Sequence, residues 1–252
     1  MTDFYESDRA LGEYLLFHYG RPGEVLPHAF GPAEALNFPV RCVTECLRPE
    51  ALPTDARALD LGCAVGRSSF ELARWAREVV GVDASKRFID VADTLRRDGR
   101  YAYEYIEEGN LRRPALAEVP ATVDRARVRF QPGDALSPDP ALGTFDVILL
   151  ANLLDRLPDP RRCLAQLPAL ARAGAQLILT SPYTWMEEYT PRELWLGGCL
   201  DGTTPRRSFD SLGKLLRPEF ELVARRDLPL LIREHARKYQ WSVAEATVWR
   251  RR

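Results

Sequence analysis

The sequence predicts an α/β fold: a mostly parallel, doubly wound sheet of seven strands finished by an antiparallel strand, with a helical segment in front of it. Three observations predict it. From Arg57 onward, short apolar runs alternate with amphipathic stretches, the pattern of parallel strands joined by crossover helices. The first run, RALDL at 57–61, is followed by Gly62 and Gly66, where a strand turning into a helix lets the backbone approach a ligand and leaves helix amides unpaired. Near the end of the chain Ala244, Ala246 and Val248 alternate with polar residues, as an antiparallel edge strand does.

Taken in order, residues 1–50 read as a helical lid or substrate cap, with Leu11, Tyr14, Leu15 and His18 on one helix face and a break over 21–39. Residues 51–252 form the α/β domain. Strands are expected over 57–61, 78–82, 128–131, 145–150 and 176–180. A helix is expected over 67–77. The next is capped by Ser85 and runs to about 97 with Phe88, Ile89, Ala92 and Leu95 on one face. A third spans 160–171 and ends near Gly174. Residues 99–125 read as an irregular insertion. The last two strands, 220–224 and 243–250, have little helix between them.

Composition excludes several function classes. Formal net charge is −1, from 35 basic and 36 acidic residues, so there is no basic excess to meet a polyanion and no nucleic-acid partner is expected. No apolar run reaches the ~18 residues of a membrane span, and the N-terminus carries acids where a signal peptide needs a basic and then an apolar segment. A cytoplasmic protein without a membrane partner is expected. The five cysteines, Cys42, Cys46, Cys63, Cys163 and Cys199, are scattered and odd in number, which is no disulfide framework. Cys42 and Cys46 have no second ligand pair at zinc-like spacing, so no metal is expected.

The residues at the strand ends point to a cofactor. LDLGCAVG at 59–66 places Asp60 before a GxxxG turn through Gly62, Cys63 and Gly66, not the GxGxxG of dinucleotide binders. Asp83-Ala84 ends the second strand about 20 residues further on, where an acid meets ribose hydroxyls. Asp134-Ala135 follows the third strand, and Asn152-Leu153 follows the fourth. In this order the elements resemble those of class I S-adenosylmethionine (SAM) methyltransferases, a Rossmann-like fold whose sheet also ends in an antiparallel strand. That resemblance implies SAM as cofactor and S-adenosylhomocysteine as product. It implies Asp60 and the glycine turn at the methionine end, Asp83 on the ribose, Asp134-Ala135 at the adenine edge, and Asn152 close to both cofactor and acceptor.

Ligands of open α/β sheets sit outside the carboxyl ends of the strands, so the segments emerging there carry the acceptor candidates. They are Tyr14, Phe17 and His18 on the N-terminal helix; Asn37 and Phe38 in NFPV; Asp155 and Arg156 after the fourth strand; Tyr183 and Trp185 after the fifth; and Arg233, Glu234 and Lys238 before the last. Aromatic side chains beside paired charges suit a small, flat, zwitterionic acceptor, with rings stacking on its face and charges on its amino-acid end. Asn152, Asp155 and His18 are the catalytic candidates; a histidine in such a place is more often structural than a base.

YESDRALGEYLLFHYG at 5–20, NFPVRC at 37–42, EEG at 107–109, ANLLDRLPDP at 151–160, SPYTWMEEYTPRELWLGG at 181–198, IREHARKYQ at 232–240 and TVWRR at 247–251 together resemble one family across nearly the whole chain. It is the ovothiol-pathway 5-thiohistidine (4-mercaptohistidine) N-methyltransferase family, found free-standing and as the C-terminal domain of the bifunctional 5-histidylcysteine sulfoxide synthase. This chain begins at the YESDRALGEY helix and is similar to the free-standing form, or to an excised domain. Cys199 after WLGG departs from the aromatic residue expected there.

The resemblance implies methyl transfer from SAM to the side-chain-proximal (π) imidazole nitrogen of 5-thiohistidine in ovothiol A biosynthesis. The protein's task would be in-line positioning at about 3 Å. A thiolate on the ring leaves a nitrogen able to attack unaided, so a base such as Asp155 or His18 is optional. Asn152→Ala and Tyr183→Phe are expected to lower turnover more than cofactor affinity. Two other readings stay open: a SAM-dependent methyltransferase of another small acceptor, such as histidine or a thiol, and a SAM-binding module without catalysis. Monomer and homodimer fit the sequence equally.

Overall fold

The computed structural model describes residues 3–252. Helix α1 (Asp8–Tyr19) begins at Ser7, whose hydroxyl accepts the Ala10 N–H at 3.1 Å, an N-cap that satisfies one of the open amides of the first turn. Its buried face is Ala10, Leu11, Leu15 and Leu16. The expected break holds a short α2 (Pro22–Val25) and then α3 (Phe38–Thr44).

Strand β1 (Arg57–Leu61) leads into α4 (Arg67–Leu72), which stops five residues short of the helix expected over 67–77. Strand β2 (Glu78–Asp83) is followed by α5 (Lys86–Asp98), with Ser85 accepting the Phe88 N–H at 3.2 Å and Gly99 ending it in the left-handed region. The segment expected to be irregular is instead a hairpin, β3 (Arg100–Glu108) and β4 (Leu111–Glu118). Tyr103 and Tyr105 of β3 are buried, and α1 lies so close that a Cβ added at Gly12 would stand 2.3 Å from the Glu104 carbonyl oxygen. Only glycine permits that approach.

The rest of the chain runs β5 (Val128–Pro132), β6 (Phe145–Ala151), α6 (Pro160–Leu170) and β7 (Ala171–Ser181). A small hairpin, β8 (Cys199–Asp201) and β9 (Thr204–Arg206), precedes α7 (Ser208–Leu216). The last two strands are far longer than expected: β10 (Phe220–His235) and β11 (Lys238–Arg251). Helix α6 does not reach Gly174; β7 already begins at Ala171.

The main sheet has the order β10-β11-β7-β6-β1-β2-β5, with β11 antiparallel to both neighbours and the other pairings parallel. Along β1 and β6 successive residues alternate between two cores, Ala58 and Val147 on one face, Leu59 and Ile148 on the other, which is why these strands read as continuous apolar runs. The N-terminal helices share the first core, where Leu11, Leu15, Phe38 and Cys42 join Ala244 and Ala246. Strand order reverses at β1, so a crevice opens between the carboxyl ends of β1 and β6. No helix among the described residues is long and apolar enough to cross a membrane.

Candidate active site

At the end of β1 the chain turns through three left-handed residues, Gly62 (φ +80°), Ala64 (φ 47°) and Gly66 (φ +82°). A Cβ at Gly62 would lie 2.8 Å from Leu153 Cδ1, and one at Gly66 would lie 2.5 Å from Phe130 Cζ. Asp83 holds the turn from the side: its Oδ2 accepts the Ala64 N–H at 2.8 Å and its Oδ1 the Ser85 N–H at 2.8 Å. Asp60 is buried, with Ser69 Oγ donating to its Oδ2 at 2.6 Å. Burial pushes the Asp60 carboxyl up to about 7, against the opposing pull of the Ser69 hydrogen bond.

This turn forms one end of a cavity of about 860 Å³, a size that suits a cofactor together with a small second ligand. Of the sequence-predicted cofactor residues, Gly62, Cys63, Asp83, Ala84, Asp134, Ala135, Asn152 and Leu153 line it. Asp60 and Gly66 do not reach the wall. They act one layer back, on the conformation of the turn.

Much of the remaining wall is aromatic. Tyr14, Phe17 and His18 of α1 line it with Phe38 of α3, and Phe17 stacks on Phe38 with centroids 6.0 Å apart. Burial, helped by the Arg67 charge, pushes the His18 imidazole down to about 3, so the ring is neutral at any working pH. Its Nδ1 is buried without a hydrogen-bond partner among the described residues. The loop after β6 adds Asn152, Asp155 and Arg156 to the wall. Asn152 takes a left-handed conformation (φ 52°), and its Oδ1 accepts from Thr180 Oγ1 at 2.9 Å. Arg156 reaches back to the Asp155 carbonyl at 2.9 Å and lies 4.8 Å over the Tyr189 ring.

Several expected acceptor residues stand elsewhere. Asn37 caps α3 in a left-handed conformation, outside the cavity wall that its neighbour Phe38 reaches. Tyr183, itself at φ 53°, turns away and donates to Glu245 Oε2 at 2.8 Å; Pro182 and Thr184 face the cavity in its place. Trp185 donates Nε1–H to Ser208 Oγ at 2.8 Å and packs on the opposite core. Arg233 is a structural clamp: its buried guanidinium binds Glu107 at 2.8 Å, the Glu24 carbonyl, and the Tyr105 ring face at 5.2 Å. Glu234 and Lys238 pair with each other at 2.8 Å at the hairpin tip. Cys199 borders a separate, shallower cleft, with Arg206 Nη2 at 3.0 Å from its sulfur.

The long hairpin does contribute, through residues the sequence reading passed over. Leu230 and Ile232 of β10 and Gln240 and Ser242 of β11 line the cavity as two cross-strand pairs. Tyr5 and Phe88 also line it, edge to face at 6.3 Å. The signal available was period-two alternation along 228–244, blurred because Leu230 and Leu231 are both apolar.

Comparison with known proteins decides the family: residues 37–218 match that of the methyltransferase domain. The chain belongs to it. As a methyltransferase domain it uses S-adenosylmethionine as methyl donor, and the left-handed turn, which leaves no room for a Cβ at two positions, fits the close approach such a cofactor requires. The chain is 33% identical to the magnesium-protoporphyrin O-methyltransferase of Rhodobacter capsulatus over 150 residues, 55% of this chain and 54% of that protein. It is 27% identical to the ubiquinone biosynthesis O-methyltransferase of Xanthomonas axonopodis pv. citri (strain 306) over 150 residues, 60% of this chain and 52% of that one. The chain thus spans about half the length of the curated relatives it matches. Among solved structures, a SAM-dependent methyltransferase from Methanosarcina mazei shares the fold with a TM-score of 0.55 at 21% identity, covering 82% of this chain and 98% of that one. The family match leaves out α1 and the β10–β11 hairpin, which between them supply Tyr14, Phe17, His18, Leu230, Ile232, Gln240 and Ser242 to the cavity wall.

Proposed function

We propose that this domain methylates the π nitrogen of 5-thiohistidine, the reaction that completes the methylated imidazole of ovothiol A. The observation that carries the reading is the make-up of the cavity. Its cofactor end lies inside the family-wide match, while Tyr14, Phe17, His18, Ile232 and Gln240 at the other end come from α1 and the final hairpin. Those two elements hold YESDRALGEYLLFHYG and IREHARKYQ, two of the segments that carry the ovothiol-family resemblance.

When bound, SAM supplies a methyl group made electrophilic by its sulfonium. The chain's own residues do the remaining work. The turn at 62–66 and Asp83 hold the cofactor end. Tyr14, Phe17 and Phe38 clamp the faces of a flat ring and exclude water. Asn152, at the junction of the two ends, has its Oδ1 committed to Thr180 and offers Nδ2 as a donor. Because the acceptor's thiolate leaves a ring nitrogen with a lone pair, no strong base is needed, which suits a neutral, unprotonated His18.

The second reading is an oxygen acceptor, favoured by the two relatives named above, both O-methyltransferases. Labelled SAM offered with 5-thiohistidine, histidine and a catechol separates them. Preferential labelling of 5-thiohistidine is expected. Preferential labelling of the catechol or of plain histidine would contradict the proposal.

A further inference from the structure

Asp155 is fully buried in the loop after β6 and borders the cavity. One carboxylate oxygen is committed to the protein: Oδ2 accepts the Thr184 N–H at 2.9 Å and faces Arg156 Nη1 at 3.3 Å. The other, Oδ1, is buried and makes no hydrogen bond of good geometry among the described residues, although the Ser181 hydroxyl stands near the carboxyl as a further donor. An unsatisfied buried acceptor is costly, more so when charged, and in a cavity wall it marks a bond that a ligand completes. Tyr14, Phe17 and Phe38 line the same cavity, with Arg156, Gln240 and Ser242 among its polar groups, so a flat ring bearing an N–H is a ligand that fits. A phenolate or carboxylate has no proton to give this oxygen and would turn to the Arg156 guanidinium instead.

We propose that Asp155 selects the tautomer of an azole acceptor, and through it the nitrogen that is methylated. The inference rests on the azole reading of the preceding subsection. Oδ1 accepts the N–H of one ring nitrogen, which fixes the lone pair on the other. That second nitrogen then forms the N–C bond as the methyl C–S bond breaks and the electron pair returns to sulfur. No proton leaves the ring in this step, and the negative charge on the acceptor's thiolate balances the charge gained by the ring. With 5-thiohistidine the nitrogen held by Asp155 is the distal (τ) one, and the π nitrogen attacks.

Asp155→Asn tests this without changing shape. Thr184 N–H and Arg156 both demand an acceptor at the Oδ2 position, so the amide oxygen takes that place and the NH₂ group faces the ligand. A donor now meets the τ nitrogen, which can still bind by moving its proton to the π nitrogen. Binding survives while the attacking lone pair is lost. For 5-thiohistidine, kcat is expected to fall at least 100-fold with KM changed less than 10-fold.

The direct readout is ring-¹⁵N-labelled histidine bound to the S-adenosylhomocysteine-loaded protein, whose nitrogen chemical shifts report which nitrogen carries the proton. The τ nitrogen is expected to be N–H in the wild-type protein and bare in Asp155→Asn. A bare τ nitrogen in the wild type, the same tautomer in both proteins, or no bound ring would overturn the inference. If the variant fails to fold, a bare τ nitrogen in the wild-type spectrum still overturns the inference. If 5-thiohistidine is not methylated but the tautomer switches as described, the functional proposal falls and the role of Asp155 stands.

Discussion

Tyr19, the last residue of α1, donates its hydroxyl to the Val65 carbonyl at 2.8 Å across 46 residues of sequence. The helix that supplies aromatic residues to the cavity wall is thereby fastened to the turn proposed to hold the cofactor. A second tie lies at the helix's other end, where Arg87 of α5 reaches Asp8 and the Glu6 carbonyl. Helix α1 is thus tied at one end to the glycine turn and at the other to α5.

Tyr19→Phe removes that bond and leaves the ring in place. The expected cost is about 0.5–1.5 kcal/mol, a fall in Tm of about 1–6 °C for a chain of this size, measured by calorimetry. S-adenosylhomocysteine affinity should drop about 3–10-fold, because the turn loses its brace. An unchanged affinity would show that the helix does not support the turn.

Gly66→Ala places a side chain at φ +82° and 2.5 Å from Phe130 Cζ. The left-handed conformation alone costs about 1–2 kcal/mol. Cofactor affinity and Tm should both fall, and Phe130→Leu should restore part of the loss by relieving the clash but not the backbone strain. The double variant measured by calorimetric titration separates the two contributions.

Asp60 sets a pH dependence. Its carboxyl rises from 3.8 in an exposed chain to about 7 in the folded protein, chiefly by burial. The folded state therefore holds the proton more tightly than the unfolded one, and its stability falls as pH rises between about 4 and 7. Asp60→Asn keeps an acceptor for Ser69 and removes the buried charge. The variant should be more heat-stable than wild type at pH 8 without cofactor, flatter in its pH profile over that window, and weaker for the cofactor, because the acid supports the turn from one layer back. A cofactor-free wild-type Tm that rises from pH 4 to 7 would contradict the assignment.

Asn152 and Tyr183 looked alike in sequence and differ in place. Asn152→Ala should lower kcat about 10-fold or more with S-adenosylhomocysteine affinity little changed, since the residue lines the cavity and its Nδ2 is offered to the acceptor. Tyr183→Phe should leave kcat within about twofold, because its hydroxyl is spent on Glu245, and cost about 1 kcal/mol of stability. Steady-state kinetics on both variants, with melting curves, checks the contrast.

How far the sequence revealed these features depends on how local each signal is. The glycine turn, Asp83 and the continuous apolar runs of β1 and β6 are each set by neighbouring residues, and the sheet followed from them. The hairpin of β3 and β4 was hidden because Tyr101, Tyr103 and Tyr105 alternate with Ala102 and Glu104 beside the highly charged EEGNLRR; only its packing against Gly12 of α1 makes the tyrosines a buried face. At the acceptor end, Tyr14 and His18 were legible from helical spacing. Tyr183 and Arg233 were misplaced because composition cannot tell which way a strand end points: a left-handed backbone turns one aside, and Glu107 and the Glu24 carbonyl hold the other.

The acceptor and the atom methylated are settled together by incubating the protein with methyl-¹³C SAM and 5-thiohistidine and locating the label by long-range proton–carbon correlation. The expected product has methyl protons correlated with the ring carbon that bears the amino-acid side chain, as methylation of the π nitrogen requires. Correlation with the sulfur-bearing carbon, or no transfer by a protein that binds S-adenosylhomocysteine, would contradict it.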